Sequence, residues 1–481
     1  MQLPYPVRIL GLDLGITSAH RGVVVDGEGR VRARRSAVPT PESLTALEAA
    51  ALRGAEPGAR LVVVVEPTGP AWLPVAVFFG RRGHLVVRVS SAKAADLRRF
   101  LSRHAKTNGI DAETLARLPL VAPESVEPVE LPGAARASLD RRVRAVARLT
   151  AEIGERKTRI RALAAALMPT VDHALGKPVT RADLAVLARW GDPRALRAVS
   201  LRRLTAVVAK ASGGHSGEEK ARAFHAAAEQ ALRLWGGDSA VALADLAAEL
   251  ATEIRLLHAA EIERAEHETV RDAALAAVDP DGLAASLPGV GPVGASVLTA
   301  VMGRPGRFPN AAAFKQFTGL APRANQTGDT DRKGQPMSKA GPRGLRSVLI
   351  RCADAARKQD PQLAAVYHQQ MTTRNAPHLK ALCVVAARLA ERAWVTLADA
   401  QPYQLRDVDG TPVTAEEAKQ VIAERYAVPP EVRRRRRSGR QKGKIPQQPS
   451  AGGKSRPAAG HEATFPAPTV PHRRPRVKQP T

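Results

Sequence analysis

Arg8-Ile-Leu-Gly-Leu-Asp13-Leu-Gly15 is an apolar run that closes on a carboxylate just before a glycine. Leu61-Val-Val-Val-Val-Glu66-Pro-Thr-Gly69 repeats the layout. Short apolar runs bounded by Gly and Pro predict buried strands that end at Asp13 and Glu66. A carboxylate closing a Val-rich strand is costly unless it is paired or metal-bound. The competing reading turns Glu66 outward past the strand, helped by Pro67. Lys106-Thr-Asn-Gly-Ile-Asp111-Ala-Glu-Thr-Leu115 then places Asp111 at the start of a helical pattern, where alone it reads as an ordinary N-cap.

Around these runs, residues 21–26, 30–37 and 85–89 are also β-rich. Residues 41–53, 73–82, 92–100 and 111–118 have helical patterns. This mixed order predicts an α/β domain. Two carboxylates at strand ends and a third at a helix start is how an RNase H-like domain gathers divalent metal at one sheet edge. Oxygen donors suit Mg²⁺ or Mn²⁺, and paired metals clamp the attacking and leaving oxygens of phosphoryl transfer. Gly11-Leu-Asp-Leu-Gly15 also fits the phosphate loop of sugar kinases and actin-like ATPases, which share this topology. An ATPase therefore stays open as an alternative, although no convincing second Asp-Gly-Gly loop follows.

The chain has 481 residues, enough for two to four domains, with a formal net charge of +27. Such a field favours nucleic acid over other partners. Residues 433–481 hold 14 Lys and Arg against one acidic residue, so this tail carries about half of the excess. Rich in Pro, Arg and Gly and without periodicity, it predicts a disordered basic tail. Aromatic content of 3% argues against base stacking as the main binding mode. No apolar run is long enough to span a membrane, and the start lacks a signal-peptide layout. The two cysteines, Cys352 and Cys383, lack metal-type spacing and suggest a reducing, cytoplasmic setting.

From about residue 134 the character changes. Residues 139–167, 218–235 and 240–275 are Ala-, Arg- and Glu-rich at helical spacing, which predicts a helical arm or antiparallel coiled coil. It either packs on its own chain or makes a homo-oligomer. Leu287-Pro-Gly-Val-Gly291 resembles the hairpin of a helix-hairpin-helix, in which Gly289 and Gly291 let backbone approach a phosphate. The plain alternative is a helix connection. Gly319-Leu-Ala-Pro-Arg-Ala-Asn-Gln-Thr-Gly328 and Asp331-Arg-Lys-Gly-Gln-Pro-Met-Ser-Lys-Ala-Gly341-Pro-Arg-Gly-Leu-Arg346 combine hydroxyls with cations. A hydroxyl among Arg323, Arg332, Lys333, Lys339, Arg343 and Arg346 could attack a phosphodiester. Composition alone favours a loop that only grips DNA.

In order, Leu12-Asp13, Val65-Glu66-Pro-Thr-Gly69, Lys106-Thr-Asn-Gly-Ile-Asp111-Ala112, Leu287-Pro-Gly-Val-Gly291, Phe317-Thr-Gly-Leu-Ala-Pro322 and Met337-Ser-Lys-Ala-Gly341 resemble one family. It is that of the bridge-RNA-guided insertion-sequence transposases, or Piv-type DEDD recombinases. The resemblance implies a RuvC-like domain over 1–130 and a coiled-coil arm over 131–280. A mainly α transposase domain over 281–400, a short extension over 401–432 and the tail would follow. It further implies an acidic tetrad binding Mg²⁺, a serine that links covalently to DNA, and a composite site shared between subunits of a dimer or tetramer. A noncoding guide RNA would choose the site by pairing, with mostly sequence-independent protein contacts. Two positions depart from the pattern. The third acidic position falls on Asn108, giving Asp13, Glu66, Asn108 and Asp111 as metal ligands. The serine position falls on Thr327, with Ser338 as the alternative nucleophile. A catalytically decayed homologue that still binds DNA and RNA is the rival expectation.

Overall fold

The computed structural model describes residues 7–67, 69–89, 94, 96, 108–131, 133–236, 241–323, 326–327, 330–331 and 335–432. The expected helix over 92–100, apart from Ala94 and Asp96, and the tail over 433–481 lie outside the described residues.

The N-terminal part is a six-stranded mixed sheet with helices on both faces. Its strands are β1 (Val7–Asp13), β2 (His20–Val25), β3 (Val31–Ala37), β4 (Arg60–Val65), β5 (Leu85–Val89) and β6 (Val126–Pro128). They lie in the order β3-β2-β1-β4-β5-β6. β1, β4 and β5 run parallel, whereas β2, β3 and β6 pair antiparallel. Order and directions are consistent with an RNase H-like domain. Every residue of Leu61–Val65 is buried, as expected of a parallel strand covered on both faces. Strand alternation then divides the core. Leu10, Leu12, Leu14, Val63 and Val65 pack under α1 (Pro41–Leu52) and α2 (Trp72–Arg81). Ile9, Val23, Val62 and Val64 pack under α3 (Asn108–Val121) on the opposite face. Edge strand β3 carries Arg32, Arg34 and Arg35, charges that discourage edge-to-edge pairing. The short β6 carries too weak a pattern to be read from the sequence.

α4 (Ala134–Leu167) leads into four shorter helices, α5 (Arg181–Trp190), α6 (Pro193–Ala198), α7 (Leu201–Ser212) and α8 (Glu218–Trp235). α9 (Leu243–Val278) then returns along α4. The two long helices are antiparallel: Arg142 meets His267 at 2.6 Å, whereas Arg156 and Arg159, farther along α4, reach Glu253, earlier on α9, at 2.9 Å. Leu139, Val143, Val146, Leu149 and Ile153 keep a three-four spacing toward the partner helix. The shorter helices close one core around Phe224, Leu187 and Leu204 with the neighbouring parts of the long pair.

The remainder is helical: α10 (Leu283–Ser286), α11 (Pro292–Met302), α12 (Ala311–Thr318), α13 (Arg343–Ala356), α14 (Pro361–Thr372), α15 (His378–Ala398) and α16 (Ala415–Arg425). Between α12 and α13 lies a small ribbon, β7 (Gln326–Thr327) paired with β8 (Thr330–Asp331). Among the described residues no helix is long and apolar enough to cross a membrane.

Candidate functional site

The parallel register aligns Leu12 with Val65, so Asp13 and Glu66 occupy neighbouring positions at the ends of adjacent strands. Alternation puts both on the α3 face, two residues beyond Gly11 and Val64 respectively. α3 sits hard on β1 there. A Cβ at Gly11 would lie 2.1 Å from the Ala112 carbonyl oxygen and 2.4 Å from the Ala116 amide nitrogen. Only glycine permits that approach. It holds the first turn of α3, with Asp111, above the sheet end. Asp111 is not the cap, because the helix already begins at Asn108, one turn earlier. The Asn108 side chain lies outside the described residues. Glu113 ties the helix to β3 through its ion pair with Arg34, and Arg117 one turn on holds the same carboxylate. Gly11 and Glu113 were not singled out from the sequence. Gly11 sits within the apolar run that ends in Asp13, and only the packing reveals its purpose.

Asp13, Glu66 and Asp111 are all half-buried. Their oxygens fit a hard divalent ion in kind. Among the described residues, however, no three His, Cys, Asp or Glu side chains stand close enough together to hold a metal. The donor set therefore fits in chemistry and in shared face.

The C-terminal candidates separate by what already occupies them. Residues 319–323 run antiparallel to 336–341: Arg323 donates its amide to Pro336, Ser338 to Ala321 and Lys339 to Gly319, at 3.0, 2.8 and 3.0 Å. Gly319 has positive φ, and a Cβ at Gly341 would lie 2.0 Å from the Phe317 oxygen, so the base of this hairpin is tightly interlocked. Arg346 Nη1 donates to the carbonyls of Thr318, Lys339 and Gly341. Through that one nitrogen it holds the hairpin in shape. Arg323, Lys339 and Arg343 are exposed. Ser338 lies at the base, where its Oγ accepts from the Ala340 amide at 3.4 Å. Thr327 lies farther out, on β7 opposite Thr330. Arg332 and Lys333, and the Thr327 side chain, lie outside the described residues.

The two glycines of the Leu287–Gly291 segment also differ. Gly289, at φ 69°, donates its amide to Gln359 Oε1 at 2.7 Å, and a Cβ there would lie 2.4 Å from the Ala356 nitrogen. Its approach serves helix packing. Gly291 caps α11 and has open space beside it. Burial pushes the Cys352 and Cys383 thiols up from their ordinary range, so neither supplies a ready thiolate.

Sheet and C-terminal helices meet at β6. Glu127 pairs with Arg307 at 3.5 Å and Glu130 with Arg304 at 2.8 Å. β6 is three strand spacings from β1, about 14 Å.

Comparison with known proteins matches both ends of this arrangement. The IS110-type DEDD transposase family model covers residues 10–169, and one described as "Transposase IS116/IS110/IS902 family" covers residues 281–369. The two define a DEDD-type insertion-sequence transposase. The chain belongs to the IS110/IS116/IS902 family of transposases. It is 27% identical over 409 residues to the insertion element IS110 uncharacterized 43.6 kDa protein of Streptomyces coelicolor, covering 84% of this chain and 98% of that one. It is 26% identical over 244 residues to the insertion element IS116 uncharacterized 44.8 kDa protein of Streptomyces clavuligerus, covering 50% and 58%. The transposase for insertion sequence element IS1328 of Yersinia enterocolitica is 32% identical over 114 residues, covering 23% and 33%. Family membership selects the transposase reading over the ATPase alternative.

Proposed function

We propose that the chain is the recombinase of an insertion sequence, cutting and rejoining DNA through a covalent hydroxyl–phosphate link, with a noncoding RNA choosing the site. The observation that carries this reading is the neighbouring register of Asp13 and Glu66 under the Asp111 turn of α3. Asp13, Glu66, Asn108 and Asp111 would hold Mg²⁺ or Mn²⁺. When bound, the ion neutralises charge that builds on the scissile phosphate and its leaving oxygen.

The Thr327 hydroxyl attacks phosphorus and loses its proton. A bond from Thr327 Oγ1 to phosphorus forms, the bond to the leaving nucleotide oxygen breaks, and that oxygen takes up a proton. One phosphate ester replaces another, so rejoining is the reverse step with a new DNA end and needs no external energy source. Arg323, Arg332, Lys333, Lys339 and Arg343 hold flanking phosphates, while Arg346 keeps the hairpin in shape. In this reading the hairpin of one copy completes the acidic site of another in a homo-oligomer.

The test is trapping. The purified chain is incubated with its flanking noncoding RNA, Mg²⁺ and element-end DNA, denatured, and mapped by mass spectrometry. An adduct at Thr327 is expected, and one at Ser338 moves the nucleophile. No adduct, with binding intact and a related active enzyme trapping in parallel, supports binding without catalysis. Asn108 and Thr327 favour that second reading.

A further inference from the structure

The line of residues that carries Asp13 and Glu66 continues across the sheet. Asp13 is paired in register with Arg21 of β2, and Arg21 with Ser36 of β3. Glu66, Asp13, Arg21 and Ser36 thus form one row over four strands. All four share the α3 face. Two residues back, Val64 and Val23 lie in the core beneath α3, Gly11 touches Ala112, and Arg34 pairs with Glu113. The inner residues of β1, β2 and β4 are mostly buried, but Arg21 and Ser36 are exposed and the two carboxylates half-buried. The exposed end of this row is Arg21 and Ser36.

The arginines around it are differently employed. Arg34 is paired with Glu113, Arg32 with Asp26, and Arg30 with Asp26 and Glu28. Arg35 falls on the opposite face by alternation. Arg21 donates from Nη1 to Ser36 Oγ at 2.6 Å. No carboxylate among the described residues forms an ion pair with it. A neutral hydroxyl fixes its direction without cancelling its charge. An acidic pair repels a polyanion, so a strand laid there gains from a fixed cation beside it. The planar guanidinium has further donors for phosphate oxygens.

We propose that Arg21, oriented by Ser36, binds a backbone phosphate of the DNA strand at the acidic site, beside the phosphate that Asp13 and Glu66 address. This rests on reading that site as one that engages DNA for cutting. The contact needs no metal, so it acts before the site is charged with an ion.

The experiment is a double-mutant cycle on the full chain without divalent metal, so that only binding is read. Wild type, R21Q and R21K are titrated with element-end duplexes in which single phosphates near the end are replaced, one at a time, by neutral methylphosphonates. R21Q should weaken binding to unmodified DNA by about tenfold, the scale of one charge-assisted hydrogen bond. One neutralised position should weaken wild type similarly and R21Q no further. R21K should keep part of that coupling, and the salt slope of R21Q should fall by about 0.9. Equal losses for R21Q and wild type at every position would overturn the proposal, provided circular dichroism shows the variant folded. Coupling without any covalent adduct in wild type would sustain Arg21 as a DNA contact and sink the strand-cutting reading. An adduct without coupling would do the reverse.

Discussion

Gly11→Ala is the smallest change that should disable the acidic site without touching a carboxylate. Its new Cβ would meet two backbone atoms of α3, at 2.1 and 2.4 Å. Neither can rotate away, as a flexible side chain could. Restoring ordinary van der Waals contact at about 3.4 Å requires α3 and β1 to separate by about 1.3 Å. Overpacking of this kind costs about 1–3 kcal/mol. It also lifts the Asp111 turn from Asp13 and Glu66, and a misplacement near 1 Å costs on the order of 100-fold in rate. Gly154→Ala is the matched control. Gly154 lies inside α4 with nothing within 4 Å of its would-be Cβ, so alanine there should stabilise by about 0.5–1 kcal/mol. Urea unfolding with covalent-adduct yield at fixed RNA, DNA and Mg²⁺ reads both effects. If G11A unfolds and traps DNA like G154A, then α3 does not rest on β1 at this residue and the geometry of the acidic site is wrong.

Three further outcomes are expected. Asn108→Asp adds a charge one helical turn before Asp111 and should lower the Mg²⁺ concentration for half-maximal adduct formation; an unchanged dependence removes Asn108 from the ligand set. Glu253 has its carboxyl held below the usual range by the Arg159 hydrogen bond, against burial, with Arg156 adding to it. A depressed folded pKa gives stability that is present above about pH 4.3 and lost as pH falls through the folded value. The helix pair should therefore melt lower at pH 3 than at pH 6 by circular dichroism, with a smaller difference in E253Q; equal differences would show that this triad does not carry the acid sensitivity. Removing residues 433–481 deletes 14 cations and should flatten the salt dependence of nucleic-acid binding, while an unchanged slope makes the tail a bystander.

Much was legible because it depends on local pattern. Apolar runs that end in Asp13 and Glu66 can hardly be anything but buried strands, and α1, α2, α3, α4, α8 and α9 follow from apolar spacing. The signal failed where the pattern was short or its purpose lay elsewhere. β6 has three residues, and α5 to α7 are brief helices whose apolar positions make sense only around Phe224. Asp111 reads as a cap until the helix is seen to begin at Asn108.

The sequence by itself determined the five longer strands, the long helices, the basic charge and the kinds of side chain available for chemistry, because alternation, helical spacing and composition are properties of neighbours along the chain. Only the tertiary structure decided which of those side chains meet. Strand register set Glu66, Asp13, Arg21 and Ser36 in one row. The contact at Gly11 brought the Asp111 turn over it. Packing turned the Gly289 amide from a candidate phosphate ligand into a support of helix packing and gave Arg346 a second task in the hairpin. Each of these joins residues far apart in sequence, and sheet pairing and close packing fix such pairings through geometry that no single segment contains.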